Sequence, residues 1–184
     1  MPKIFSSILK KINRRKDYIM NIATIHFDEK FESTLAKTGN NIYLICENNE
    51  INWNNKIAEK PNNCMLMNGN IPPDLTFDIV ISQNRISHYS HLAKLSLQLT
   101  CPIISIDNHK PNSKLNQFAI QSLADQVVNK NVFPSKEMAG IWGFDPDSDD
   151  LVNVVDESEE FVKKWQSLLY NIIDEPCALI TGGN

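Results

Sequence analysis

The sequence predicts an α/β protein built on one doubly wound parallel sheet, and three observations carry that expectation. First, short apolar runs rich in β-branched residues alternate along the chain with helix-length amphipathic segments, the pattern of strands joined by crossover helices. Second, the runs at Asp78–Ser82 and Cys101–Ile106 are continuous rather than alternating, as expected for strands buried on both faces. Third, the 184 residues include 42% hydrophobic and 22% charged side chains, enough to bury a core without disulfide staples.

Residues 1–19 form a basic extension. Ile4, Phe5, Ile8, Leu9 and Ile12 recur at helical spacing among Lys3, Lys10, Lys11, Arg14, Arg15 and Lys16. This gives a short amphipathic helix with a basic face, read as a packed or frayed extension or, alternatively, as a contact with anionic lipid through residues 1–16. No acid occurs in residues 1–16, so the remaining 12 cations face 22 acids, a balance of −10. That balance argues against a nucleic-acid-binding surface on the folded part.

The α/β domain spans residues 20–144. Asn21–Phe27 is a first strand, Phe31–Lys37 a short helix stopped by Gly39-Asn40, and Ile42–Cys46 a second strand. Asn48–Pro73 is rich in Asn and Pro and reads as irregular connections around a weak strand near Cys64–Met67. Phe77–Pro111 is a complete strand–helix–strand crossover, its helix Ile86–Leu99 placing Leu92, Leu95 and Leu99 on one stripe. Asn112–Asp125 is a further helix, Val127–Phe133 a further strand, and Ser135–Trp142 a short helix capped by Ser135. An acidic linker, residues 145–160, holds eight carboxylates and no cation, and residues 161–184 supply a terminal helix and tail. The terminal helix, Glu157–Ile173, carries Phe161, Trp165, Leu168 and Leu169 on its apolar face. Trp53, Trp142 and Trp165 are read as packing anchors.

No apolar run reaches the length of a transmembrane helix. Cys46, Cys64, Cys101 and Cys177 are widely spaced and lack a CxxC pair, which predicts reduced thiols in a cytoplasmic protein.

In a Rossmann-like sheet, ligands bind beyond the carboxyl ends of the strands. Gln83, Asn84 and Arg85 follow one strand, and Asp107, Asn108 and His109 follow the next. These groups suit hydroxyls, and Arg85 suits a phosphate or carboxylate; their alternative is to satisfy the following helix terminus. His109 can position a hydroxyl or exchange a proton near neutral pH, or be a surface histidine before the Pro111 turn. His26 and Asp28 follow the first strand and share the same edge, with capping of the next helix as the alternative for Asp28.

Two metal readings are set aside. His88 and His91 stand three apart without an accompanying Cys or carboxylate at ligand spacing. Asp145, Asp147, Asp149, Asn153 and Asp156 occupy ligand positions of an EF-hand-like loop, but Asp150 stands where the sharp turn needs Gly and Asp156 where a bidentate Glu belongs.

The order of FDIVISQNR, CPIISIDNHKP and NVFPSKEMAGIWGF, followed by Val152-Asn-Val-Val-Asp156 and Phe161, resembles the amino-terminal domain of GT-B glycosyltransferases, the glycosyl transferases group 1 branch. The likeness runs from Met20 to about Phe161. It implies a single domain equivalent to the N-terminal half of GT-B, facing a sugar acceptor. The nucleotide-sugar donor would then lie on a second domain, a partner chain or another copy. The candidate catalytic residues at these strand ends are His109, His26 and Asp28, and the candidate substrate-binding residues Gln83, Asn84, Arg85, Asp107 and Asn108, with no cofactor or metal; the resemblance supports the position of His109 and not a catalytic role for it. The alternative is a non-enzymatic α/β binding or interaction module. The first turn, His26-Phe27-Asp28-Glu29, lacks a Gly-rich phosphate loop.

Overall fold

In the computed structural model, residues 18–46, 52–67, 71–83, 101–111, 119, 128–147, 152–154 and 160–174 are described. Their strands are β1 (Asn21–Ile25), β2 (Asn41–Ile45), β3 (Cys64–Met67), β4 (Ile79–Ser82), β5 (Ile103–Ile106), β6 (Lys130–Phe133) and β7 (Val152–Val154). Three helices accompany them: α1 (Glu29–Ala36), α2 (Lys136–Ile141) and α3 (Phe161–Asp174). The strands form one sheet in the order β3-β2-β1-β4-β5-β6-β7, and every neighbouring pair is parallel. This is the Rossmann-like parallel α/β arrangement, with its order reversal between β1 and β4.

Alternation along each strand divides the apolar side chains between two faces. Ile22, Ile42, Leu44, Ile79, Ile81, Ile104 and Ile106 share one core with Leu35 of α1 and Trp165, Leu168 and Leu169 of α3. Ala23, Ile25, Val80 and Ile103 belong to a second core with Phe77 and Cys101. The all-buried patterns of β4 and β5 bear out the reading of those runs as central strands. The helices predicted over Ile86–Leu99 and Asn112–Asp125 lie outside the described residues, apart from Ala119, which is helical.

Local chemistry sets the ends of the elements. Asp28 caps α1 by accepting the backbone N–H groups of Lys30 and Phe31 at 2.9 and 3.1 Å. Gly39 ends that turn with φ +86°, a conformation costly for residues with a Cβ. Ser135 caps α2 as predicted, accepting from the Met138 N–H at 3.1 Å. The acidic stretch contributes β7, an edge strand paired with β6, and Asp147 pairs with Lys136; Asp149, Asp150 and Asp156 of the EF-hand-like pattern lie outside the described residues.

The terminal helix seals the α1 face of the sheet. Phe161, Trp165, Leu168, Leu169 and Ile172 are buried at helical spacing, and Phe31 of α1 meets the rings of Phe161 and Trp165 edge-on at 6.2 and 5.7 Å. Gln166 donates to the Thr38 carbonyl and Tyr170 to the Tyr18 carbonyl. The helix therefore runs from the carboxyl edge of the sheet back to its amino edge. Among the described residues no helix is long and apolar enough to cross a membrane, and Cys64 is a buried free thiol.

Candidate functional site

Beyond the carboxyl ends of β1 and β4, a buried polar cluster forms around Glu32. This residue sits on the stripe of α1 that also carries Leu35 and Ala36, and all three are buried. Its carboxylate is fully enclosed and meets three donors. His26 Nδ1 lies 2.7 Å from Oε2, the Phe27 backbone N–H donates to Oε1 at 2.9 Å, and Gln83 Nε2 donates to Oε1 at 2.7 Å. A buried carboxylate is tolerated only with such compensation.

Gln83 spans the order reversal. Its Nε2 also lies 3.1 Å from Thr24 Oγ1 and 3.2 Å from the Ile25 carbonyl, while Oε1 is buried without a hydrogen-bond partner. The amide orientation follows from these neighbours, because the flipped form would set oxygen against the Glu32 carboxylate. Gln83 thus joins β4 to β1 from inside, its amide nitrogen engaged within the protein.

The cluster fixes the imidazole of His26. With Nδ1 on Glu32, the neutral ring carries its lone pair on Nε2, which lies 3.8 Å from Glu29 Oε1, beyond hydrogen-bond range. The His26 side chain is 14% exposed and stacks on Trp53 with centroids 5.9 Å apart. Trp53 is held in turn by its indole N–H donating to the Ala58 carbonyl at 2.7 Å. The hydrogen bond to Glu32 raises the His26 pKa, reinforced by the charges of Glu32 and Glu29 and opposed by burial. Burial also pushes the nearby Cys64 thiol up to about 11, with Glu32 adding to the shift.

A second group surrounds a cleft of about 640 Å³ between α1, α3 and the ends of β5 and β6. Phe31, Phe133, Phe161 and Trp165 supply its apolar wall, and Asp28, Lys30, Asn108 and His109 its polar groups. Asn108 and His109 are exposed. The His109 backbone is anchored by the Trp142 indole, which donates to its carbonyl at 3.0 Å, while its ring meets Phe27 edge-on at 6.3 Å. Asp107 is buried, accepts from Ser105 Oγ at 3.3 Å and donates its backbone N–H to the Val132 carbonyl.

The sequence-predicted residues therefore fall into two groups. His26 and Gln83 meet at Glu32, Asp28, Asn108 and His109 meet at the cleft, and Phe27 touches His109 between them. Asn84 and Arg85 lie outside the described residues, as do His88 and His91. For Asp28, the capping alternative is the one whose hydrogen bonds are present. Trp142 and Trp165 are the packing anchors expected, and Trp53 in addition shapes the site through its stack on His26.

Sequence reasoning missed Glu32, the residue on which the first group turns. A signal was present, because Glu32 shares the i, i+3, i+4 stripe of Leu35 and Ala36, where an acid is out of place. It also stands one residue beyond the position of a capping-box Glu and reaches back to the Phe27 N–H.

The first βα turn is unsuited to a pyrophosphate. A phosphate there would use the helix N-terminus and its backbone N–H groups, yet Asp28 already accepts from two of them and Glu29 and Glu32 lie in the first helical turn. The turn instead offers carboxylate and imidazole groups, which suit hydroxyls or a cation. Among the described residues no group of three or more His, Cys, Asp or Glu could hold a metal ion.

Comparison with protein-family models, curated proteins and solved structures finds no match to this chain.

Proposed function

We propose that this chain is the acceptor-side domain of a GT-B-like glycosyltransferase. It binds a hydroxylated acceptor at the carboxyl edge of its sheet and works with a donor-binding domain or partner that holds the nucleotide sugar. The observation that carries the reading is the His26–Glu32–Gln83 cluster at the β1/β4 order reversal. It holds one imidazole in a fixed tautomer beside a turn whose carboxylates disfavour phosphate. Such a half-site orients an acceptor hydroxyl and exchanges its proton through His26 Nε2, while the charge of the departing diphosphate is met on the donor side. His109 and Asn108, on the cleft wall, are the groups proposed to hold further hydroxyls.

The test is an NMR titration of the imidazole signals of the full chain with a panel of glycosides and, separately, with nucleotide sugars. The expected result is a shift of His26 and His109 with a glycoside and none with a nucleotide sugar, together with poor turnover of sugar nucleotides by the chain alone. Tight binding of a nucleotide sugar, or robust turnover without a partner, overturns the assignment of this chain to the acceptor side.

A second reading, an α/β binding module that works without a donor domain, is favoured by α3. Its buried Phe161, Trp165 and Leu169 close the α1 face of the sheet with the chain's own residues. Sedimentation of the chain alone separates the readings, because this module is a covered monomer whereas the half-enzyme associates through the face left for its donor domain.

A further inference from the structure

We propose that the cleft between α1 and α3 takes an apolar aglycone, so that the acceptor is a glycoside carrying an aryl or alkyl group and not a bare sugar. The inference rests on the acceptor-side reading and names the substrate class for it. The cleft encloses about 640 Å³, a volume typical of small-molecule sites. Its α1 wall runs from Asp28 to Lys37, about 13 Å of helix at about 1.5 Å per residue. That is longer than one sugar ring.

The lining changes character along that length. At the carboxyl edge of the sheet it is polar, because Asp28 caps α1 there and the exposed Asn108 and His109 follow β5. Phe27 stands beside them, 45% exposed and edge-on to the His109 ring. Away from that edge, Phe31, Phe161 and Trp165 of the two helices and Ile106 and Val132 of the sheet make the wall apolar. Lys30 and Lys37 are exposed on α1, where long cationic side chains lay their methylene stems on apolar surface and keep the ammonium in water.

This order of polar mouth and apolar wall selects the occupant. A single sugar is satisfied at the mouth and leaves the wall empty. A purely apolar ligand fills the wall and leaves Asn108 and His109 unused. A glycoside with an apolar aglycone uses both, its sugar at the strand ends and its aglycone between the helices. Trp165 adds a separate demand on this wall. Its indole Nε1 is buried without a hydrogen-bond partner, whereas buried indole N–H groups usually have one, and an oxygen of an entering ligand would supply the acceptor.

The test compares phenyl with methyl β-D-glucopyranoside, and the matching galactoside and mannoside pairs, by titration calorimetry on the full chain, while NMR follows the indole N–H signal of Trp165. The phenyl member of a pair is expected to bind about tenfold tighter or more and to shift the Trp165 signal. Thr34→Phe adds bulk to the α1 wall at a half-buried position. It is expected to cut phenyl glycoside affinity by about tenfold, towards that of the methyl glycoside, at unchanged circular dichroism. His109→Ala is expected to weaken both members of a pair and to keep their ratio. Equal binding of the two members, or phenyl glycoside binding that leaves the Trp165 signal unmoved, overturns the aglycone proposal while the acceptor-side reading stands. Benzyl alcohol binding as tightly as every phenyl glycoside overturns both, because the sugar then contributes nothing, and so does the absence of binding by all the pairs.

Discussion

The ends of β1 and β5 each present a histidine at the carboxyl edge of the same parallel sheet, and the two are held in opposite ways. At the end of β1, the ring of His26 is gripped by the buried Glu32 carboxylate at 2.7 Å and covered by Trp53. At the end of β5, the backbone of His109 is gripped, through the Trp142 indole, and its ring is exposed beside the cleft. The first arrangement sets tautomer and charge, and the second sets only position. Topology alone thus does not say what a strand-end residue does, because the packing behind it decides which atoms remain available.

The largest break in this comparison is Glu32→Ala. It leaves His26, the Phe27 N–H and Gln83 without their common acceptor and is expected to cost about 3–5 kcal/mol, measured by urea denaturation. Glu32→Gln keeps the shape and removes the charge, so His26 should titrate closer to its ordinary value in an NMR pH series. A loss below about 1 kcal/mol for Glu32→Ala would mean that the cluster does not hold the β1–β4 junction.

Protonation provides the next test. The His26 pKa lies above its ordinary value of 6.5 because of the Glu32 hydrogen bond. A raised pKa contributes stability that is fully present below the unfolded value and is lost as pH rises through the folded one. The protein should therefore lose stability on the alkaline side of pH 6.5, and His26→Ala should flatten that slope. An unchanged pH profile in the variant would assign the slope to other groups.

Smaller effects probe the two supports. Trp142→Phe removes the hydrogen bond to the His109 carbonyl while keeping an aromatic in the pocket, and should cost about 1–2 kcal/mol with faster amide exchange over residues 107–110. Asp28→Ala removes the cap of α1 and should cost about 1 kcal/mol by thermal denaturation. At the bottom of the scale, His109→Ala should change stability by less than about 0.5 kcal/mol, since its ring is exposed. It should nevertheless weaken glycoside binding, and a large stability loss there would erase the contrast with His26.

Much of the fold was legible because it rests on local pattern. The continuous runs around Ile79–Ser82 and Ile103–Ile106 declared central strands, Cys64–Met67 was found within an irregular stretch, and Ser135 announced the cap of α2. Of the candidate site, the sequence placed His26, Gln83, Asn108 and His109 at strand ends, where the parallel topology makes them neighbours. Within the stretch read as an acidic linker, Val152–Val154 pair with β6 as the edge strand; three residues carry too little periodicity of their own to announce a strand.

What the sequence determined by itself was therefore the alternation of strand and helix and the edge of the sheet on which the polar groups gather. Both follow from side-chain periodicity and the geometry of parallel crossovers. Only the tertiary structure decided what those groups do. Gln83 reaches Glu32 across 51 positions of chain, where it joins the two donors of the first turn, His26 and the Phe27 N–H, in compensating a fully buried carboxylate. No local pattern encodes the arrival of Gln83, since it is created where the first turn of α1 meets the chain leaving β1 and β4.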